Sequence, residues 1–184
     1  RSIAFGLGRP IHSARCSCSN KHRDGAMDRA TVATVLLIVH GLVAVALLGA
    51  ITHQTLSTWA PARARPGSFF GRFRTVPSAA FANAVIVLYS VTATLGAIVY
   101  LYFRVDVRPA LEQAGRWELL GFFDLKEHFI AIGLALLPAY LVCWRQPREE
   151  PTRTRTAVTS ILAFIVWWGF LVGHVINNIK GFGA

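Results

Sequence analysis

Charged residues are scarce in this chain, and acidic residues are the scarcest. Only 15% of the 184 residues are charged, with 19 lysines and arginines against 9 acidic residues. A soluble domain carries about 25% charged residues. Hydrophobic residues make up 54% of the chain, and the mean hydropathy is +0.47. This composition excludes an ordinary soluble domain and predicts one integral membrane domain.

Cysteines are also few, and their spacing excludes the common metal and redox motifs. The three cysteines are Cys16, Cys18 and Cys143. Paired cysteines of zinc and thioredoxin-like sites need a two-residue spacer, which Cys16-Ser-Cys18 lacks. The sequence also lacks a nucleotide-binding loop, a nucleophile–base arrangement and internal repeats. The chain is therefore not predicted to be an enzyme on its own.

Methionine occurs once, at Met27, directly before the first apolar stretch. Residues 1–26 are rich in Arg, Ser, His and Cys and show no hydrophobic periodicity. They also lack the continuous apolar core of a signal peptide. We therefore expect a natural start at Met27, with 1–26 as a disordered or non-native extension.

Four long apolar stretches dominate the rest of the chain. They cover about 30–53, 79–103, 124–144 and 157–179, and each is near the length of about 20 residues that a helix needs to cross a bilayer. Their apolar residues run on without the alternation of barrel strands. Residues 27–184 are therefore predicted to form an all-α, integral membrane four-helix bundle.

The basic residues flank these stretches, which is typical of helix ends at lipid headgroups and makes nucleic-acid binding a poor explanation of the net charge of +10. Counted from Met27, the first and third connections carry more Lys and Arg than the other side. The positive-inside rule then predicts both connections in the cytoplasm and both termini in the periplasm of a bacterial inner membrane.

The third stretch differs from the others because it opens with four ionisable residues, Asp124, Lys126, Glu127 and His128. Asp124-x-x-Glu127 has the spacing of a capping box at a helix start, and Lys126 is long enough to reach headgroups. A 100° step per residue puts His128 on one stripe with Ala131, Ala135 and Ala139. Small residues favour close helix packing, so His128 is predicted to face the bundle.

Histidines at matched depth on different helices predict a cofactor site. His128 and His174 form the best pair for a b-type haem, and His40 with His174 the next. A metal site of His128, His174 and Glu127 is the alternative. Hydrogen bonding between helices would also explain these histidines, and the alternatives stay open.

Two further interpretations need no metal. The same polar residues could bind a quinone carbonyl or relay protons. The chain could instead be a cofactor-free accessory subunit of a larger membrane complex. In that case Gly169-x-x-x-Gly173 would dock onto other membrane subunits through close helix packing.

The layout of the second half resembles a known group of proteins. It combines Phe123-Asp-Leu-Lys-Glu-His128, Pro138, an arginine-rich connection, Trp167-Trp168 and Gly173-His174. This pattern is similar to that of small four-helix membrane proteins of unknown function associated with haem–copper oxidases. The resemblance implies a respiratory membrane and supplies no catalytic residue. Together with the histidines, it predicts a redox-associated subunit or assembly component of a respiratory complex.

Overall fold

The chain is all-α, as predicted, in a computed structural model that describes residues 21–59, 78–146 and 153–179. It has four long helices in the described residues, and a π-helical turn followed by one short helix joins the second long helix to the third. In chain order the elements are α1 (Lys21–Trp59), α2 (Ser78–Tyr102), the π-helical turn (Phe103–Val107), α3 (Arg108–Gln113), α4 (Trp117–Arg145) and α5 (Arg153–Ile179).

The four long helices, α1, α2, α4 and α5, are each long and apolar enough to cross a membrane. Their cores correspond to the four apolar stretches. Helices α1 and α4 extend beyond the predicted bounds at both ends, α5 begins earlier than predicted, and α2 matches its prediction to within one residue. Helix α1 begins at Lys21, so 21–26 are helical, and the rest of the predicted extension lies outside the described residues. The first and third connections lie outside them as well.

Each long helix packs against two others, and the four close into a ring. Helix α1 lies between α2 and α5, and α4 also lies between α2 and α5. The end of α1 meets the start of α5, where Trp59 donates a hydrogen bond of 2.8 Å to Ser160. The end of α2 meets the start of α4, where the rings of Tyr100 and Phe123 stack. Neighbouring helices are therefore antiparallel.

The main hydrophobic core fills the half of the bundle in which α1 and α4 end. Its most deeply buried side chains come from all four helices: Ile51, Val85, Tyr89, Tyr140, Leu162 and Ile165. A smaller core lies under the π-helical turn and α3, where the rings of Phe103 and Phe123 stack with centroids 3.9 Å apart. A cavity lies between these two cores.

Three indole N–H groups, including that of Trp59, donate to hydroxyls on neighbouring helices, whereas Nε1 of Trp168 is buried without a partner among the described residues. Trp144 of α4 donates to Thr159 of α5 over 3.1 Å, and Trp167 of α5 donates to Thr52 of α1 over the same distance. Trp144 is buried, so its bond matters for stability, because an unpaired donor is costly in an apolar interior. The two bonds tie α5 to α4 and to α1.

The start of α4 corrects the predicted third span and its cap. Gly115 adopts a positive φ of 67°, and the amide of Arg116 bonds to the carbonyl of Leu111 over 3.0 Å. This arrangement ends α3 in a Schellman-like turn, and α4 begins at once at Trp117. Asp124 therefore lies well inside a helix. The capping-box interpretation of Asp124 and Glu127 is wrong.

The face that α4 turns inward is also different from the predicted one. Large and small residues together form the buried face: Leu119, Leu120, Phe123, Gly133, Leu137, Tyr140 and Trp144. His128, Ala131, Ala135 and Ala139 are all exposed. The aromatic side chains bury far more area than alanines do, so they set the rotation of α4. The small-residue rule predicted the wrong face.

Candidate functional site

A cavity of about 230 Å³ lies inside the bundle between the two cores. All four long helices contribute to its wall, which is mostly apolar. Its charged, imidazole and amide side chains come from three helices: His40 on α1, Lys126 and Glu127 on α4, and His174 and Asn177 on α5. Helix α2 adds the hydroxyls of Tyr89 and Thr92. The cavity is therefore the one place, in the described part of the chain, where side chains from several of the predicted site positions meet.

His40 reaches the cavity from the middle of α1 and packs against α2. A Cβ at Gly96 would lie 3.1 Å from Cε1 of the imidazole, so the glycine leaves room for the ring. Nδ1 of His40 is buried and meets no described residue with full hydrogen-bond geometry, although the backbone of Thr92 lies near enough to interact with the ring. Buried polar atoms of this kind are rare, because each normally has a protein, water or ligand partner.

Lys126 and Glu127 form an ion pair in the cavity wall. Nζ of Lys126 lies 2.7 Å from Oε1 of Glu127, and the side chains are only 14% and 36% exposed. The ammonium also lies 4.4 Å from the centre of the Phe123 ring, within cation–π range. Side chains at adjacent helix positions diverge by about 100°, so both must bend to meet. Lys126 does not reach outward as predicted.

His174 stands at the exposed edge of the cavity, near the end of α5. Its Nε2 lies 3.0 Å from the amide nitrogen of Asn178, and its ring stacks on Phe170 with centroids 6.1 Å apart. The amide nitrogen can only donate, so Nε2 is the acceptor in this pair. His174 and His40 thus line the same cavity, as the second predicted histidine pair requires.

His128 lies elsewhere. It is exposed on the outer surface of α4 and does not line the cavity. Its Nδ1 lies 2.6 Å from the backbone carbonyl of Asp124 one turn earlier, to which it donates. The prediction that His128 faces the bundle is wrong, and the structure does not bring it together with His174. The reason is the rotation of α4 imposed by its aromatic residues.

The predicted haem does not fit the cavity as it stands. Sites for drug-sized ligands measure about 300–1,000 Å³, and a porphyrin macrocycle needs a site within or above that range, whereas this cavity measures about 230 Å³. A metal ion gains no support from clustering either, because the described residues contain no group of three or more His, Cys, Asp or Glu side chains placed to hold one. His40, Glu127 and His174 share a cavity without converging on a point.

Gly169 and Gly173 also face inward. A Cβ at Gly169 would lie 2.9 Å from Cδ1 of Ile130 in α4, and both glycines line the cavity. Gly169 therefore allows α5 to approach α4 within this chain. The predicted docking of partner subunits on these glycines stays a prediction that this placement does not support.

Sequence reasoning missed Lys126 and Gly96 as parts of the site. The signal for Lys126 was available in the sequence. Gly115 is the natural end of a short helix, and a new helix starting after it would have put Lys126 deep inside a span. For Gly96 no local signal existed, because its role depends on the ring of His40 from another helix.

No protein-family model matches the chain, and neither a curated protein nor a solved structure matches it.

Proposed function

We propose that this chain is an integral membrane protein that exchanges protons at its internal cavity, in a redox-associated role in the bacterial inner membrane. The observation that carries this proposal is the Lys126–Glu127 ion pair, which lines one cavity with His40 inside a bundle of four apolar helices. Ionisable groups within membrane spans are costly and by default mark proton, ion or substrate sites.

Each polar group has a distinct part in the proposed exchange. Glu127 gains and loses the proton at its carboxylate, and Lys126 provides the positive charge beside it. His40 offers a second exchange site, since its imidazole lines the same cavity. His174 and Asn177 lie at the exposed edge of the cavity, where protons would enter from water.

The test begins with the full chain reconstituted in lipid nanodiscs, after alkaline carbonate washing has established that it stays with the membrane. Infrared difference spectra recorded as a function of pH report the carboxyl C=O stretch of each titrating acid. We expect a pH-dependent band that Glu127→Gln removes. Glu118→Gln is the matched control, because Glu118 is an exposed acid of the same helix paired with Arg116. The spectrum of Glu118→Gln should keep the Glu127 band and should differ from the wild-type spectrum only by the loss of one exposed acid.

Two results would overturn the proposal. The first is release of the chain by carbonate, which would contradict membrane insertion. The second is a pH-dependent spectrum that is the same in the wild type and in Glu127→Gln, since the cavity would then hold no exchanging carboxyl group.

A haem-binding subunit is the second candidate. If haem is bound, His40 and His174 are better placed as its ligands than His128 and His174, because they line the same cavity. It requires α1 and α5 to separate around the macrocycle. Reduced-minus-oxidised spectra of the purified chain test it. A Soret band that is lost in both His40→Ala and His174→Ala would support haem, and its absence from the wild type would leave the proton-exchange proposal standing alone.

A further inference from the structure

The cavity has the size, polarity and charge to hold one ring of a quinone, and we infer that it binds a quinone-class ligand. His40 and Lys126 would donate hydrogen bonds to a ring carbonyl. This inference rests on the proposed proton exchange at the same cavity and adds the class of molecule that the site takes.

The size of the cavity selects a single substituted ring. A cavity of about 150 Å³ is known to hold one benzene ring, and this one measures about 230 Å³. That volume leaves room for the ring oxygens and small substituents of a quinone. A fused macrocycle or a nucleotide would need a larger site.

The charge of the cavity selects a neutral ligand. Lys126 is already paired with Glu127 at 2.7 Å, so the polar part of the wall holds one positive and one negative group side by side. An anionic ligand such as a phosphate ester would have to compete with Glu127 for the ammonium. A neutral carbonyl oxygen can accept a further hydrogen bond from Lys126 without breaking the ion pair, because the ammonium carries three donors.

The imidazole of His40 indicates where the carbonyl lies, because the ring lines the cavity. Its Nδ1 is buried near the backbone of Thr92, and Gly96 leaves room for the ring. A ligand oxygen in the cavity would accept a hydrogen bond from the imidazole. The remainder of the wall is mostly apolar, with Val166, Phe170 and Ile176 of α5 among its members, and suits the ring edge and the start of an isoprenoid tail.

Two glycines of the wall allow the cavity to be filled without removing a polar group. A Cβ at Gly41 or at Gly173 would meet nothing within 4 Å, and both residues line the cavity. Leucine at either position would occupy the space that the ring needs. Gly49 is the matched control, because it lies on α1, is exposed, does not line the cavity and also has nothing within 4 Å of its Cβ position.

The experiment is isothermal titration calorimetry of the full chain in nanodiscs with a benzoquinone that carries a decyl tail. Decylbenzene, which has the same tail and no carbonyl, is the comparison ligand. We expect at least tenfold weaker binding of the quinone to Gly173→Leu and to Gly41→Leu, and unchanged binding to Gly49→Leu. His40→Phe keeps the ring volume and removes the donor, and should weaken quinone binding about tenfold. Thermal melting of each variant confirms that it is folded.

Several outcomes would overturn the inference. Equal affinity in Gly173→Leu, Gly41→Leu and Gly49→Leu would mean that the quinone only partitions into lipid. Equal affinity for the quinone and decylbenzene would mean that no carbonyl is recognised. No quinone binding to a wild-type chain that keeps its Glu127-dependent infrared band would mean a water-filled cavity. In that case the ligand assignment fails and proton exchange stands, whereas loss of the band itself contradicts proton exchange.

Discussion

The hydroxyl of Tyr89 in α2 donates a hydrogen bond of 3.0 Å to the backbone carbonyl of Ile130 in α4, and lies directly over Gly133. Tyr89 is almost fully buried and belongs both to the main core and to the cavity wall. Only a residue without a side chain allows the phenol to come this close to α4. The contact therefore sets both the spacing of two helices and one boundary of the cavity.

Gly133→Ala should destabilise the bundle. The added Cβ would overlap the Tyr89 hydroxyl and lie 2.7 Å from the ring carbon that carries it, and overpacking of this kind costs about 1–3 kcal/mol. The measurement is the free energy of unfolding in mixed detergent micelles. Gly121→Ala, at an exposed position of the same helix with nothing within 4 Å, should be neutral or stabilising. Equal effects of the two substitutions would contradict the close approach of Tyr89.

Thr159→Val should also weaken the fold, although it keeps the shape of the side chain. Thr159 is fully buried and accepts the indole N–H of Trp144 over 3.1 Å. Its loss leaves a buried donor unpaired, at a cost of about 1–3 kcal/mol. Thr34→Val is the control, because Thr34 is exposed and its hydroxyl bonds within its own helix to Ala30. A Thr159→Val variant as stable as Thr34→Val would show that the indole is satisfied in another way.

The ion pair of the cavity should show energetic coupling that an exposed pair lacks. In a cycle of Lys126→Met, Glu127→Gln and the double variant, we expect a coupling energy of roughly 1 kcal/mol. This lies between exposed and fully buried pairs because Glu127 remains 36% exposed. Unfolding free energies at each corner give the value.

The control cycle uses Arg116 and Glu118, which lie 2.6 Å apart with side chains 47% and 55% exposed. Their coupling should be close to zero, since water screens exposed pairs. Similar coupling in both cycles would contradict the burial of the Lys126–Glu127 pair.

Spin labels at His128 and His40 should report different surroundings. In a background without cysteines, a label on His128→Cys should collide readily with dissolved oxygen, because the residue lies on the outer surface of α4. A label on His40→Cys should collide several-fold less, because the ring is half-buried against Gly96. Electron paramagnetic resonance power saturation in nanodiscs measures the difference. Comparable oxygen access at the two positions would contradict the outward orientation of His128 in the structure.

The inward face of α4 could not be predicted from periodicity, because aromatic residues compete there with alanines. On α1, His40 shares a buried or half-buried stripe with Ala33, Ala44, Leu47 and Ile51. On α4 the predicted face points outward, because Tyr140 and Trp144 bury more area than the alanines, and the indole N–H of Trp144 also donates to Thr159 inside the bundle. Periodicity identifies the stripes of a helix, and packing decides between them.

Composition and the length of the apolar stretches are sufficient to predict four long helices, since an uncharged run of this length has no other regular structure available in a membrane. They also identify His40, Glu127 and His174 as residues that need an explanation. The grouping of these residues with Lys126 depends on the rotation of α4 and on the fit of His40 against Gly96. Both are contacts between helices distant in sequence, and only the tertiary structure decides them, because no local pattern records which neighbour a side chain will meet.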